Sequence, residues 1–195
     1  DYVCAEGVEL RNLASLDLYK CLHRTGLCNE CPWASPLPTD GTKTGGDHMT
    51  TLILPDLHVW NHKAFGGPVV GGLNRRCRDI LQSAYQIVEY AKLHYGVTHV
   101  VQLGDFFDGP KPSPQILNAS LDMIAATKIE WHIIAGNHDI ASYDAPSALA
   151  PMNHAGNVHT YDTAQFTSIN GQRWLMVPYS GPDAAEALKV LATVP

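Results

Sequence analysis

Three short strings, each placed directly after an apolar run, constrain this chain more than any other feature. They are Asp56-Leu57-His58, Gly104-Asp105-Phe106-Phe107-Asp108 and Gly136-Asn137-His138-Asp139. The preceding runs cover residues 51–54, 97–103 and 131–135, are rich in Val, Ile and Leu, and are bounded by Gly, Pro or Asp. Runs of this kind predict buried strands. The metal-seeking side chains therefore sit just past the carboxyl ends of three strands, where open α/β sheets place their ligand sites.

Carboxylate, imidazole and a carboxamide oxygen make a mixed, fairly hard ligand set. It suits Mn²⁺, Fe or Zn²⁺ better than a thiolate-loving metal. Two divalent ions about 3.5–4 Å apart can clamp the attacking and leaving oxygens of an in-line phosphoryl displacement and acidify a water. That arrangement needs one shared carboxylate, and Asp105, the middle acid in the order, is the natural one. A lone D-x-H or G-D-x-x-D is common by chance; Gly-Asn-His-Asp after an apolar strand is rarer, and the ordered triplet is what points to phosphoester chemistry.

The three strings resemble the calcineurin-like metallophosphoesterases, whose pattern runs D-x-H, G-D-x-x-[DH], G-N-H-[DE], then a lone His and a terminal G-H-x-H. Within that family the residues 100–117, VVQLGDFFDGPKPSPQIL, and the stretch IIAGNHDIASYDAPSAL from Ile133 are similar to the SbcD-type nucleases of bacterial and phage recombination complexes. The resemblance covers roughly residues 50–194. It implies that Asp56 and His58 hold one metal, that Asp105 bridges, and that Asn137 holds the second metal through its side-chain oxygen. It further implies two divalent ions, Mn²⁺ first, with Fe, Zn²⁺ or Mg²⁺ as alternatives. His138 would face the scissile phosphate as transition-state stabiliser or general acid. Asp108 would orient His138 from behind. DNA or another phosphodiester is the implied substrate, an SbcC-type ATPase subunit and a second copy of the chain the implied partners.

The pattern stops early. After Asp139 the remaining histidines are His154 and His159, and no G-H-x-H precedes Pro195. The expectation is therefore a domain incomplete at its C-terminus, with His154 the stray histidine nearest the motifs. Three functions stay open: a nucleic-acid phosphodiesterase, a small-molecule phosphodiesterase or phosphomonoesterase, and a non-catalytic subunit that lacks the final ligands.

Punctuation along the chain sets the expected fold. Residues 74–95 carry Cys77, Ile80, Leu81, Ala84, Ile87, Val88 and Ala91 at helical spacing and end at Gly96. A second helix is expected over 114–127, with Ile116, Leu117, Leu121 and Ile124 inward. With the strands this gives βαβαβ, the unit of a parallel-cored sheet. Residues 158–161, 166–169 and 173–177 read as short strands, the last two joined by Asn170-Gly171. These three are expected to form the second sheet of a sandwich, giving the α/β four-layer architecture, flanked by helices, that the resemblance implies. A further helix opens at Pro182 and Asp183, and residues 59–73 read as an uncovered loop beside the first ligands.

A net charge of −6 argues against broad nucleic-acid affinity, although Arg75, Arg76, Arg78 and Lys111 flank the expected site. Arg75, Arg76 and Lys111 are the expected substrate-binding cations. No apolar run reaches membrane-spanning length and no signal peptide opens the chain, so a cytoplasmic location is expected. Cys4, Cys21, Cys28 and Cys31 crowd residues 1–36, with a C-x-x-C at 28–31, and their candidate role is a structural zinc site, an iron–sulfur or redox site, or unpaired thiols. Residues 37–49 read as a linker, and residues 50–195 as the phosphoesterase-like domain.

Overall fold

A computed structural model describes residues 50–142 and 144–181. The four N-terminal cysteines, the linker and the helix expected at Pro182 lie outside the described residues. The elements are β1 (Thr50–Leu54), β2 (Val69–Val70), β3 (Leu73–Asn74), α1 (Arg75–Tyr95), β4 (Val97–Gln102), α2 (Pro114–Thr127), β5 (Glu130–Ile134), a 3₁₀ turn (Ala150–His154), β6 (Val158–Tyr161), β7 (Gln165–Ile169) and β8 (Gln172–Met176).

The central sheet has the order β1-β4-β5-β6, with every neighbour pair parallel. Parallel strands are buried on both faces, and alternation divides β4 between two cores. Val100 packs with Trp131, Ile133, Leu81, Val88, Ile116 and Ile124 under the two helices. Val101, next in the chain, packs with Tyr161, Ile169 and Met176 against the β7–β8 hairpin. The described residues thus stack helices, a parallel sheet and an antiparallel hairpin, an α/β architecture as expected.

Local signals fix each element. Asn74 caps α1 through its side-chain oxygen, which accepts from the Cys77 amide at 2.9 Å, and Gly96 ends the helix in the left-handed conformation at φ 64°. Ser113 and Pro114 open α2 in the same way.

Two placements differ from the sequence reading. Strand β6 belongs to the parallel sheet beside β5, not to the second sheet. The segment between them, folded around the 3₁₀ turn, is long enough for a parallel return. The 59–73 segment is also more ordered than a loop, because β2 pairs with β3 and Asn61 donates to the Gly72 carbonyl at 2.7 Å. Asn74 completes the tie, its amide donating to Asn61 Oδ1 at 2.8 Å and its side chain to the His62 carbonyl at 2.7 Å. Among the described residues no helix is long and apolar enough to cross a membrane.

Candidate metal centre

The three strings meet because the sheet ladder continues past its strand ends. Leu103 donates to the Leu54 carbonyl at 2.9 Å, His58 to that of Asp105 at 2.9 Å, and Val59 to that of Phe106 at 2.8 Å. The first two loops therefore lie zipped together by main-chain bonds. The third joins them through Asp139, which is fully buried and accepts from the amides of Phe106 at 3.2 Å, Phe107 at 2.9 Å and Gly136 at 2.9 Å. Burial, with a smaller contribution from the neighbouring Asp105, raises the Asp139 carboxyl above its usual range, against the lowering effect of the three amide bonds. Asp105 Oδ1 in turn accepts from the His138 amide at 2.9 Å. A Cβ on Gly136 would lie 2.1 Å from both the amide nitrogen and Oδ1 of Asp105, so only glycine allows the third loop this close.

Asp56, His58 and Asp105 converge so that one ligand atom from each lies within 4.8 Å of the others. His58, Asp108 and His138 form a second such group sharing the His58 ring. His58 Nδ1 is 3.0 Å from Asp108 Oδ1, its Nε2 is 3.9 Å from Asp105 Oδ2, and its ring meets that of His138 edge-on at 4.8 Å. His138 Nδ1 lies 3.3 Å from the Asp108 carbonyl and 3.7 Å from its carboxylate. Asp108 therefore touches His58 more closely than His138 and can align both rings.

The backbone supports a ligand site independently of the donor atoms. Asp56, His58 and Asp105 adopt φ of 38°, 46° and 52°, a region that L side chains avoid. Each such residue costs about 1–3 kcal/mol and persists where its surroundings over-determine it, commonly at functional sites. Mutually close carboxylates and imidazoles held in strained conformations are a donor set that fits divalent cations, which favour such mixed O/N ligands.

The remaining expected residues are placed as follows. Asn137 is exposed between Gly136 and His138, at the rim of the same loop. Arg75 and Arg76 lie in the first turn of α1, exposed, in a depression shared with Phe65. Lys111 is exposed on the loop before α2. His154 ends the 3₁₀ turn, exposed and outside both converging groups, so it does not join them. Two supporting residues carry no sequence signal of their own. His62 places Nε2 3.0 Å from the His58 carbonyl and Nδ1 3.5 Å from Asp108 Oδ2. Gln102, fully buried, bonds both the amide and the carbonyl of Gly104, at 3.1 and 2.6 Å.

A search of curated proteins gives no match. Among solved structures, a dimetal phosphatase from Danio rerio is similar at 23% identity over 46% of this chain and 29% of that one, with a TM-score of 0.34. The nuclease MPE of Pseudomonas putida is similar at 18% identity over 57% of this chain and 46% of that one, TM-score 0.35. The chain thus spans less than half the length of either. The family described as calcineurin-like phosphoesterase matches residues 49–186, a span that holds all three strand-end strings. The chain belongs to the calcineurin-like phosphoesterase family.

Proposed function

We propose that the protein hydrolyses phosphodiester bonds in nucleic acid, as an SbcD-type nuclease, with two divalent ions, Mn²⁺ first among them. The observation that carries this reading is the convergence of Asp56, His58 and Asp105 in strained backbone at the joined strand ends. Asp56 and His58 would hold one ion, Asp105 would be shared, and Asn137 would serve the second. Bound there, such ions supply Lewis-acid polarisation of a phosphoryl oxygen and a more acidic water.

The chain's own groups do the rest. The two main-chain bonds from His58 and Val59 fix the first two loops, and Asp139 fixes the third, so the ligands are preorganised rather than gathered by the metal. His138 turns Nδ1 toward Asp108, which leaves Nε2 to meet a phosphate oxygen or to protonate the leaving oxygen. In this reading Asp108 is a positioning residue, and Arg75, Arg76 and Lys111 meet the substrate's charge. An ATPase subunit and a second copy of the chain remain proposed partners.

Protein supplied with Mn²⁺ and an end-labelled DNA strand is expected to release nucleotides, and Asp105→Ala to abolish release. Absence of cleavage across several metals and several DNA substrates would contradict the reading. The net charge of −6 favours a second one, a small-molecule phosphodiesterase. Turnover of bis-p-nitrophenyl phosphate without DNA cleavage would establish it.

A further inference from the structure

Phe65 is 94% exposed, the most exposed of the large hydrophobic side chains among the described residues. Its backbone is also left-handed, at φ 57°, a conformation that a bulky residue rarely holds. Neither cost is recovered by packing of the ring. Yet the residue does not sit on a slack loop. Its neighbour Gly66 is buried, with room for no Cβ between the His62 carbonyl and the Asn74 side chain. Arg76 pins the same turn twice, its amide donating to the Gly66 carbonyl at 3.1 Å and its guanidinium to that of Ala64 at 3.3 Å. An aromatic face is thus presented to solvent on a rigid base.

The surroundings are cationic. Residues 59–78 contain Lys63, Arg75, Arg76 and Arg78 and no acidic residue, in a chain whose net charge is −6. Phe65, Gly67, Pro68, Arg75, Arg76 and Asp79 line one open depression of about 730 Å³, so two guanidinium groups face a single carboxylate there. Arg75 pairs with Asp79 at 3.5 Å, but both side chains are well exposed, and such pairs are weak enough to be exchanged for a phosphate. The same segment is tied to the metal centre through His62, which reaches both the His58 carbonyl and Asp108.

We infer that Phe65 and Arg75 form a docking surface for single-stranded nucleic acid, the ring stacking on a base and the guanidinium pairing with a backbone phosphate. A rigid exposed aromatic among cations is the surface that single strands use, because every unpaired base offers a π-face beside a phosphate. A duplex hides its bases from such a ring. The inference rests on the nucleic-acid reading above and names the form of its substrate.

The test is fluorescence anisotropy of a labelled oligothymidylate with the full chain in Ca²⁺, the strand being checked intact on a gel. Phe65→Ala and Phe65→Leu are expected to weaken binding about 5- to 150-fold, the range for one stacked base, while Phe65→Trp restores it. Arg75→Ala should lower the slope of log affinity against log salt by about 0.7, the value for one single-strand phosphate. A duplex of mixed sequence should bind more weakly than the single strand. If Phe65→Ala binds like the unaltered protein while DNA is still cleaved, this inference alone falls. If Phe65→Leu binds as well as phenylalanine, the surface is an apolar protein-docking patch and base stacking is overturned. If the unaltered protein neither binds nor cleaves DNA yet hydrolyses bis-p-nitrophenyl phosphate, this inference and the nucleic-acid reading fall together.

Discussion

Asp139 is the residue on which the geometry of the centre turns, although it points no atom at a ligand position. Its carboxylate satisfies three buried amides on two loops, and removing it leaves all three unpaired. Asp139→Ala should lower unfolding free energy by roughly 3 kcal/mol or more. Asp139→Asn keeps one acceptor oxygen and should cost less; urea denaturation separates the two, and equal stability of Asp139→Ala and the parent would refute the clamp. Gly136→Ala acts at the same joint, since its Cβ must displace Asp105. It should reduce Mn²⁺ affinity by tenfold or more with little loss of helix signal in circular dichroism. His138 is a different case: in the proposed role it touches substrate and no metal. His138→Asn should leave metal content unchanged while kcat falls about 10²–10⁴-fold, and less with a p-nitrophenolate leaving group, which needs little protonation. Loss of metal in that variant would show the role to be wrong. At this scale the charged ends of the strings were legible because their residue types and order are chemical. Asp139 as clamp and His62 as support were not, because their partners are backbone atoms and a carboxylate about 30 to 45 residues away in the chain.

Elements with strong local signals were placed by sequence to within a residue or two. α1 and α2 begin at Asn74 and Ser113 caps, and α1 ends at Gly96. Helical spacing overstated the inner face of α1, where Ile87 is half exposed, whereas in α2 Leu117 and Leu121 do pack against the core, joined by the buried Ser120 and Thr127, which bond their own helix carbonyls. The sheet assignment of β6 was out of reach, because alternating short strands look alike and the choice of partner is made by a crossover of irregular chain. The β7–β8 turn was legible, and it does more than reverse the chain. Asn170 and Gly171 both adopt positive φ, at 53° and 73°, as a two-residue hairpin turn requires. The Asn170 side chain also accepts from Thr98 Oγ1 at 3.1 Å and donates to Thr51 Oγ1 at 2.9 Å, stitching the hairpin to β1 and β4. Asn170→Gly removes only the stitches, whereas Asn170→Ala also forces alanine into the left-handed region. Alanine should therefore cost about 1 kcal/mol more than glycine in chemical denaturation, and the reverse order would contradict this account of the turn.

Across the whole molecule, acid stability and metal binding report on opposite ends of the sheet. On the hairpin face, His99, His132 and His159 from three adjacent strands stack at 5.6 and 4.8 Å, with Glu130 on His159 and Tyr161 on His132 Nδ1. Burial, reinforced by the neighbouring His159 and His99, pushes the His132 imidazole down to about 4 from an ordinary 6.5. The unfolded chain then binds the proton more readily, so this group's stability contribution is present above pH 6.5 and is lost as pH falls from 6.5 toward 4. The loss should be on the order of 3 kcal/mol, and His132→Gln should flatten the profile over that window. The central claim concerns the other end, where three loops, two of them with strained backbone, are joined so that carboxylates and imidazoles can hold divalent metal. Titration of free Mn²⁺ followed by its electron paramagnetic resonance signal tests it without reference to any substrate. Saturable binding by the parent protein, weakened at least tenfold by Asp105→Ala and unaffected by Asp122→Ala on the exposed side of α2, is the expected result; equal Mn²⁺ affinity of Asp105→Ala and the parent would contradict it.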